Sequence, residues 1–195
     1  MTSLRSAETA NLDAAELTQM ALNASQHNDS GAAIGYLKQA VALDGNAALA
    51  HYLLGAEYAQ ISMIDLAIAE MQCAVEADPA LSIARFQLGL LFLTSARVEE
   101  AIRTWQPLAA LGADHPLFLF QAGLVHLSRD EFVEAKVLLQ EGQQRNTDNA
   151  PLNTDMQKVI DEIDKAIAQA TKRDGETLND SAAEADHVLL SAYKR

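Results

Sequence analysis

Residues 48–81 read ALAHYLLGAEYAQISMIDLAIAEMQCAVEADPAL. Two segments with apolar residues at helical spacing flank a polar break at Gln60–Ser62, which predicts two short antiparallel helices. The stretch recurs. A shift of 34 residues in either direction places a small residue at Ala21, Gly55, Gly89 and Gly123, and an alanine at Ala33, Ala67, Ala101 and Ala135. Such a period marks a stack of helical hairpins, because one hairpin cannot bury its own faces. The small residues let two helix backbones approach where they cross. Leu37, Met71, Trp105 and Leu139 are the large residues that fill the space beside them. The reading is an all-α solenoid with repeats at about 14–47, 48–81, 82–115 and 116–149.

Outward from the quoted stretch, the helix ends follow from punctuation. Asp13 with Glu16 is a capping box, and the first helix runs to about Gln26. Residues 27–31 form a break, with Ser30 as cap of the next helix, which ends near Asp44-Gly45. Ser62 is expected to cap the following second helix, with Asp65 completing the box, and Asp78-Pro79 closes that repeat. Pro107 interrupts the helix from Arg97 to Leu111 and should kink or tighten its last turn. Asp114 or His115 caps the next helix with Pro116 in its first turn, and its partner runs from about Asp130 to Gln144.

Beyond Pro151 the period fails. A helix over about 153–171 carries a stripe of Met156, Val159, Ile160, Ile163 and Ile167, with Lys158–Glu162 and Asp161–Lys165 pairs opposite. One apolar and one charged face suit a terminal capping helix. Residues 1–12 read as a flexible N-terminus, and 172–195 as an acidic linker with a short apolar segment at 187–193.

The whole composition narrows the function classes. The 195 residues are 49% hydrophobic and 21% charged, with a net charge of −13. That charge repels nucleic acid and anionic membrane, and no basic stripe compensates. A single cysteine, Cys73, excludes an intrachain disulfide, and a cytoplasmic location is expected. Residues 1–12 lack the apolar core of a secretory signal, so the sequons at Asn23 and Asn179 read as chance. The most apolar region, Pro107 to Leu127, is broken at Asp114-His115-Pro116, so no membrane span is expected.

The repeat resembles the tetratricopeptide family. Its pattern of Leu-Gly, Tyr, Ala, a bulky residue, Ala and Pro is matched by Leu54-Gly55, Tyr58, Ala67, Met71, Ala74 and Pro79. Leu88-Gly89, Phe92, Ala101, Trp105 and Leu108 match it again, whereas the fourth frame has His126 in place of Tyr. The first frame is weakest, with Met20-Ala21, Ala24, Ala33, Leu37 and Ala40. The resemblance implies an all-α, right-handed superhelix whose first helices line a concave groove for a peptide. It carries that face onto Leu22, Leu49, Tyr52, Ala56, Ile83, Phe86, Leu90, Leu93, Leu117, Phe120, Leu124 and Leu127. It also implies a non-catalytic protein-binding scaffold. Some relatives clamp a peptide carboxylate with basic side chains, but the matching Thr18, Leu22, Leu53, Ile83 and Gln87 include no base.

So apolar a row needs a cover. The candidates are an apolar or amphipathic helix of another protein, a second copy, or the chain's own stripe at 156–167 or segment 187–193. A chaperone that shields apolar client segments is the narrower alternative. Catalysis is not expected. His27, His51, His115, His126 and His187 have no metal-ligand spacing, and no glycine-rich phosphate loop is present. His51 and His126 occupy packing positions, Cys73 reads as a buried, inert thiol, and Asp161, Glu162 and Asp164 read as a solvated face. No cofactor and no metal are expected.

Overall fold

The computed structural model describes residues 12–176, and these form helices and turns without a strand. The expected loose N-terminus up to residue 11, the linker from residue 177 and the apolar segment 187–193 lie outside the described residues. The α-helices are α1 (Ala14–Gln26), α2 (Ser30–Leu43), α3 (Ala48–Gln60), α4 (Ile64–Ala77), α5 (Ser82–Thr94), α6 (Val98–Trp105), α7 (Pro116–Leu127), α8 (Phe132–Arg145) and α9 (Ala150–Glu176). A 3-10 helix, η1 (Gln106–Leu111), separates α6 from α7. The chain divides between Phe92 and Leu93, inside α5, into two compact units.

In the first unit α1 packs on α2, α3 packs on α4, and α2 joins the two hairpins by packing on α3. In the second, α7 packs on α8, η1 lies against α6 and α7, and α9 covers α8. The residues read as crossing points are all buried: Ala21, Ala33, Gly55, Ala67, Gly89, Ala101, Trp105, Gly123 and Ala135. Their fit is tight. A Cβ on Gly55 would lie 2.9 Å from Met71 Cγ and 3.1 Å from the Ala67 carbonyl oxygen. A Cβ on Gly123 would meet Leu139 Cγ at 2.9 Å and the Ala135 carbonyl oxygen at 3.1 Å. The same small, large and alanine positions thus form the crossing in both units.

The turns inside the hairpins repeat as faithfully. Asn28, Ser62, Ala96 and Asp130 stand 34 residues apart, and each has φ between 58° and 62°. Three close the same pair of main-chain bonds at the end of the first helix. Asp29 N–H donates to Ala24 O and Asn28 N–H to Ser25 O; Met63 N–H to Tyr58 O and Ser62 N–H to Ala59 O; Glu131 N–H to His126 O and Asp130 N–H to Leu127 O. This is a Schellman closure, and it needs one left-handed residue. Ser62 is therefore the left-handed residue and not a helix cap, and α4 starts without a side-chain cap. Ser30 is likewise displaced as cap by Asp29, whose carboxylate accepts from Ala32 N–H at 2.9 Å.

The connections between hairpins use a different device. Asp44 Oδ1 accepts from Asn46 N–H and Asp78 Oδ1 from Ala80 N–H, both at 2.9 Å. The third occurrence of this position is Gly112, with φ 96°. There Pro107 has tightened the helix into η1, and the exit conformation suits glycine alone. His115 caps α7, its Nδ1 accepting from Leu117 N–H.

Helix α9 starts at Ala150, earlier than expected, because Pro151 fits a helix's first turn. It continues to Glu176, into the stretch read as linker. Its stripe is applied to α8: Leu152, Met156, Val159, Ile160 and Ile163 are buried, and Ile167 is half-buried. The stripe is thus engaged with α8. The charged side pairs at a spacing of three, Lys158 with Asp155 and Lys165 with Glu162, instead of the expected four.

Candidate functional site

A cavity of about 300 Å³ opens in the first unit where α1, α3 and α5 converge. Leu22, Leu53 and Ala56 supply its apolar wall, and Ser25, Gln60 and Gln87 its polar groups. Glu57, one residue along α3 from Ala56, also lines it. Glu57 is 5% exposed, and its Oε2 atom is buried without a hydrogen-bond partner among the described residues. Leaving a buried carboxylate oxygen unpaired costs free energy, so this is a site with an unmet requirement.

The period brings Glu57 here. One repeat earlier the position holds Asn23, and one and two repeats later it holds Leu91 and Val125. An acid at a place where the two later frames carry aliphatic side chains, and no other frame carries a charge, is the sequence signal that the motif comparison passed over.

The twelve expected groove residues divide. Leu22 and Ala56 line the cavity. Tyr52, Ile83 and Leu90 are half-buried, and Leu49 is 51% exposed. Burial raises the Tyr52 phenol above its ordinary pKa. Phe86, Leu93, Leu117, Phe120, Leu124 and Leu127 are buried and belong to the core, which corrects their reading as an open surface. For Phe120 the reason is visible: its ring lies against Gly142 of α8, where a Cβ would come within 2.6 Å of Cδ1 and Cε1. Helices apolar around their circumference are buried around it.

The histidines make structural contacts. His51 is buried, with Nδ1 2.7 Å from Glu70 Oε2 and Nε2 3.2 Å from Gly45 O. His27 Nδ1 lies 2.7 Å from Asn23 O, and His126 Nδ1 2.5 Å from Glu131 Oε2. His187 lies outside the described residues. Cys73 is exposed, contrary to its expected burial, because it faces away from the Met71 and Ala74 side of α4. Residual desolvation, then Glu70 and Glu76, raise its thiol pKa. Asp164 pairs with Lys136, Glu162 with Lys165, and Asp161 accepts from Gln157, so each of these acids has its own partner. Among the described residues no cluster of three or more His, Cys, Asp or Glu could hold a metal ion. No helix among them is long and apolar enough to cross a membrane.

A second cavity, of about 320 Å³, lies in the other unit between α6, η1 and α7, with Trp105, Ala109 and Val125 on its wall. It offers no buried charge.

Solved structures of similar shape settle the architecture. YrrB, described as a TPR protein with an unusual peptide-binding site, matches with a TM-score of 0.59 and 20% identity, over 85% of this chain and 83% of its own. The fold is that of a tetratricopeptide-repeat protein. A crystal structure of MamA matches this tetratricopeptide-like chain with a TM-score of 0.60 and 21% identity, over 74% of this chain and 83% of that one. MamA from Desulfovibrio magneticus RS-1 matches at 0.57 and 12% identity, over 85% and 97%. No family model and no curated protein matches the sequence. At these identities the likeness concerns the tetratricopeptide fold alone.

Proposed function

We propose that this chain is a non-catalytic, cytoplasmic protein-binding module that takes an apolar or amphipathic segment of a partner on the first-helix side of its repeats. The supporting observation is the cavity lined by Leu22, Leu53 and Ala56, which combines an apolar wall with a few polar groups, as binding sites do. Its volume of about 300 Å³ suits one anchoring side chain. A peptide-binding site is also what YrrB is described as having. Chaperoning of apolar client segments would be a use of this same surface.

Selection of a displayed random peptide library on the full chain tests the reading. Aliphatic-rich peptides should enrich, and Leu22→Glu should weaken their binding. Val133→Glu, on an exposed position of α8, should not. No enrichment, or equal binding by Leu22→Glu, would remove the proposal.

A further inference from the structure

We infer that the side chain seated in this cavity is an arginine of the partner segment, flanked by aliphatic residues, with its guanidinium on Glu57; this rests on the peptide-binding reading above. Glu57 lines the cavity, and one of its carboxylate oxygens is buried with no hydrogen-bond partner among the described residues. Residues 12–92 contain nine carboxylates and two fixed cations, Lys38 and Arg85. Both cations are engaged elsewhere. Lys38 Nζ stands 5.7 Å above the Tyr58 ring, and Arg85 donates to Pro79 O. The first unit therefore has a carboxylate to satisfy and no spare cation among its described residues to do so. Its surrounding negative field draws cations towards it and repels anions.

The lining selects among cations. Ser25, Gln60 and Gln87 add side-chain oxygen acceptors to the same lining. A guanidinium offers five donors in one plane and is weakly hydrated, whereas an ammonium is compact and keeps its water. Leu22, Leu53 and Ala56 suit the methylene stem, and the aliphatic neighbours in the peptide meet the apolar surface around the mouth.

The library selection on the full chain carries the test. Peptides enriched on the native protein should hold arginine between aliphatic residues, and those enriched on Glu57→Gln should lose the arginine but stay aliphatic. The best peptide, resynthesised with citrulline for arginine, keeps its shape and loses its charge. It should bind the native chain roughly tenfold or more weakly, and Glu57→Gln should bind both forms alike. Aliphatic peptides enriched without arginine, or a citrulline penalty that survives Glu57→Gln, would overturn the inference and leave the peptide-binding reading standing. Enrichment of nothing would overturn both. The free protein adds a further check: Glu57→Gln, which removes an unpaired buried charge, should melt at or above the native temperature. A lower temperature would mean that the chain's own terminal residues or a second copy already supply the partner, which would also overturn the inference.

Discussion

Gly142→Ala should destabilise the protein, although it places a better helix former in α8. A Cβ at this position would lie 2.6 Å from both Cδ1 and Cε1 of Phe120 and 3.4 Å from Leu119 Cβ. Phe120 is fully buried, so its ring cannot swing into solvent. Overpacking of this kind costs about 1–3 kcal/mol. Contacts of 2.6 Å with a ring that cannot move put the cost in the upper half of that range, about 2–3 kcal/mol; removing a helical glycine returns up to about 1 kcal/mol, which leaves a net loss of about 1–2 kcal/mol. Gly35 gives the opposite case. It lies within α2, and a Cβ there would meet nothing within 4 Å. Gly35→Ala should therefore gain about 0.5–1 kcal/mol. Urea unfolding followed by far-ultraviolet circular dichroism measures both. Adding Phe120→Leu to Gly142→Ala removes the ring atoms in conflict, so the double variant should be more stable than the sum of the singles by about 1 kcal/mol. A Gly142→Ala protein as stable as the native one, or strict additivity with Phe120→Leu, would refute the placement of Phe120 against α8.

Three other outcomes are expected. Asp29→Ala removes the only side-chain cap among the second helices α2, α4, α6 and α8, and should lose about 1 kcal/mol in the same unfolding assay, whereas Ser30→Ala should change little. Ala96 holds a left-handed conformation without a side chain that favours it, so Ala96→Gly should gain about 0.5–1 kcal/mol, and Asn28→Gly should gain less. Cys73 should react with a maleimide in the folded protein, but more slowly than a free cysteine at the same pH, because its raised pKa leaves less thiolate; Glu76→Gln should speed the reaction.

The architecture was legible because it is written in spacing. Gly55 and Gly123 were recognisable as crossing points before any coordinate, since no side chain larger than hydrogen fits beside Met71 or Leu139 at that backbone separation. The capping box at Asp13 and Glu16 was legible for a similar reason: its two reciprocal bonds are local. The caps at Ser30 and Ser62 were misread because a serine in a turn serves equally as a cap or as a backbone corner. The choice depends on φ, which composition does not encode. The functional face was read less well. Phe86 and Phe120 are as apolar as a binding surface would be, and only the three-dimensional packing shows that both are buried. Glu57 was overlooked because matching to a family directs attention to shared positions, whereas this acid departs from its own repeats.

The turns within the hairpins hold by main-chain bonds around Asn, Ser, Ala or Asp alike. Their geometry is thus nearly indifferent to the residue that occupies them. The joints after Asp44 and Asp78 are also near-copies of one another. A tandem duplication of residues 48–81 would end in the same kind of joint from which the original copy begins. Such a chain can lengthen by recombination without inventing new junctions. One copy keeps the older surface while its duplicate is free to diverge, which is how an acid such as Glu57 can arise in a single repeat and give it a preference its neighbours lack.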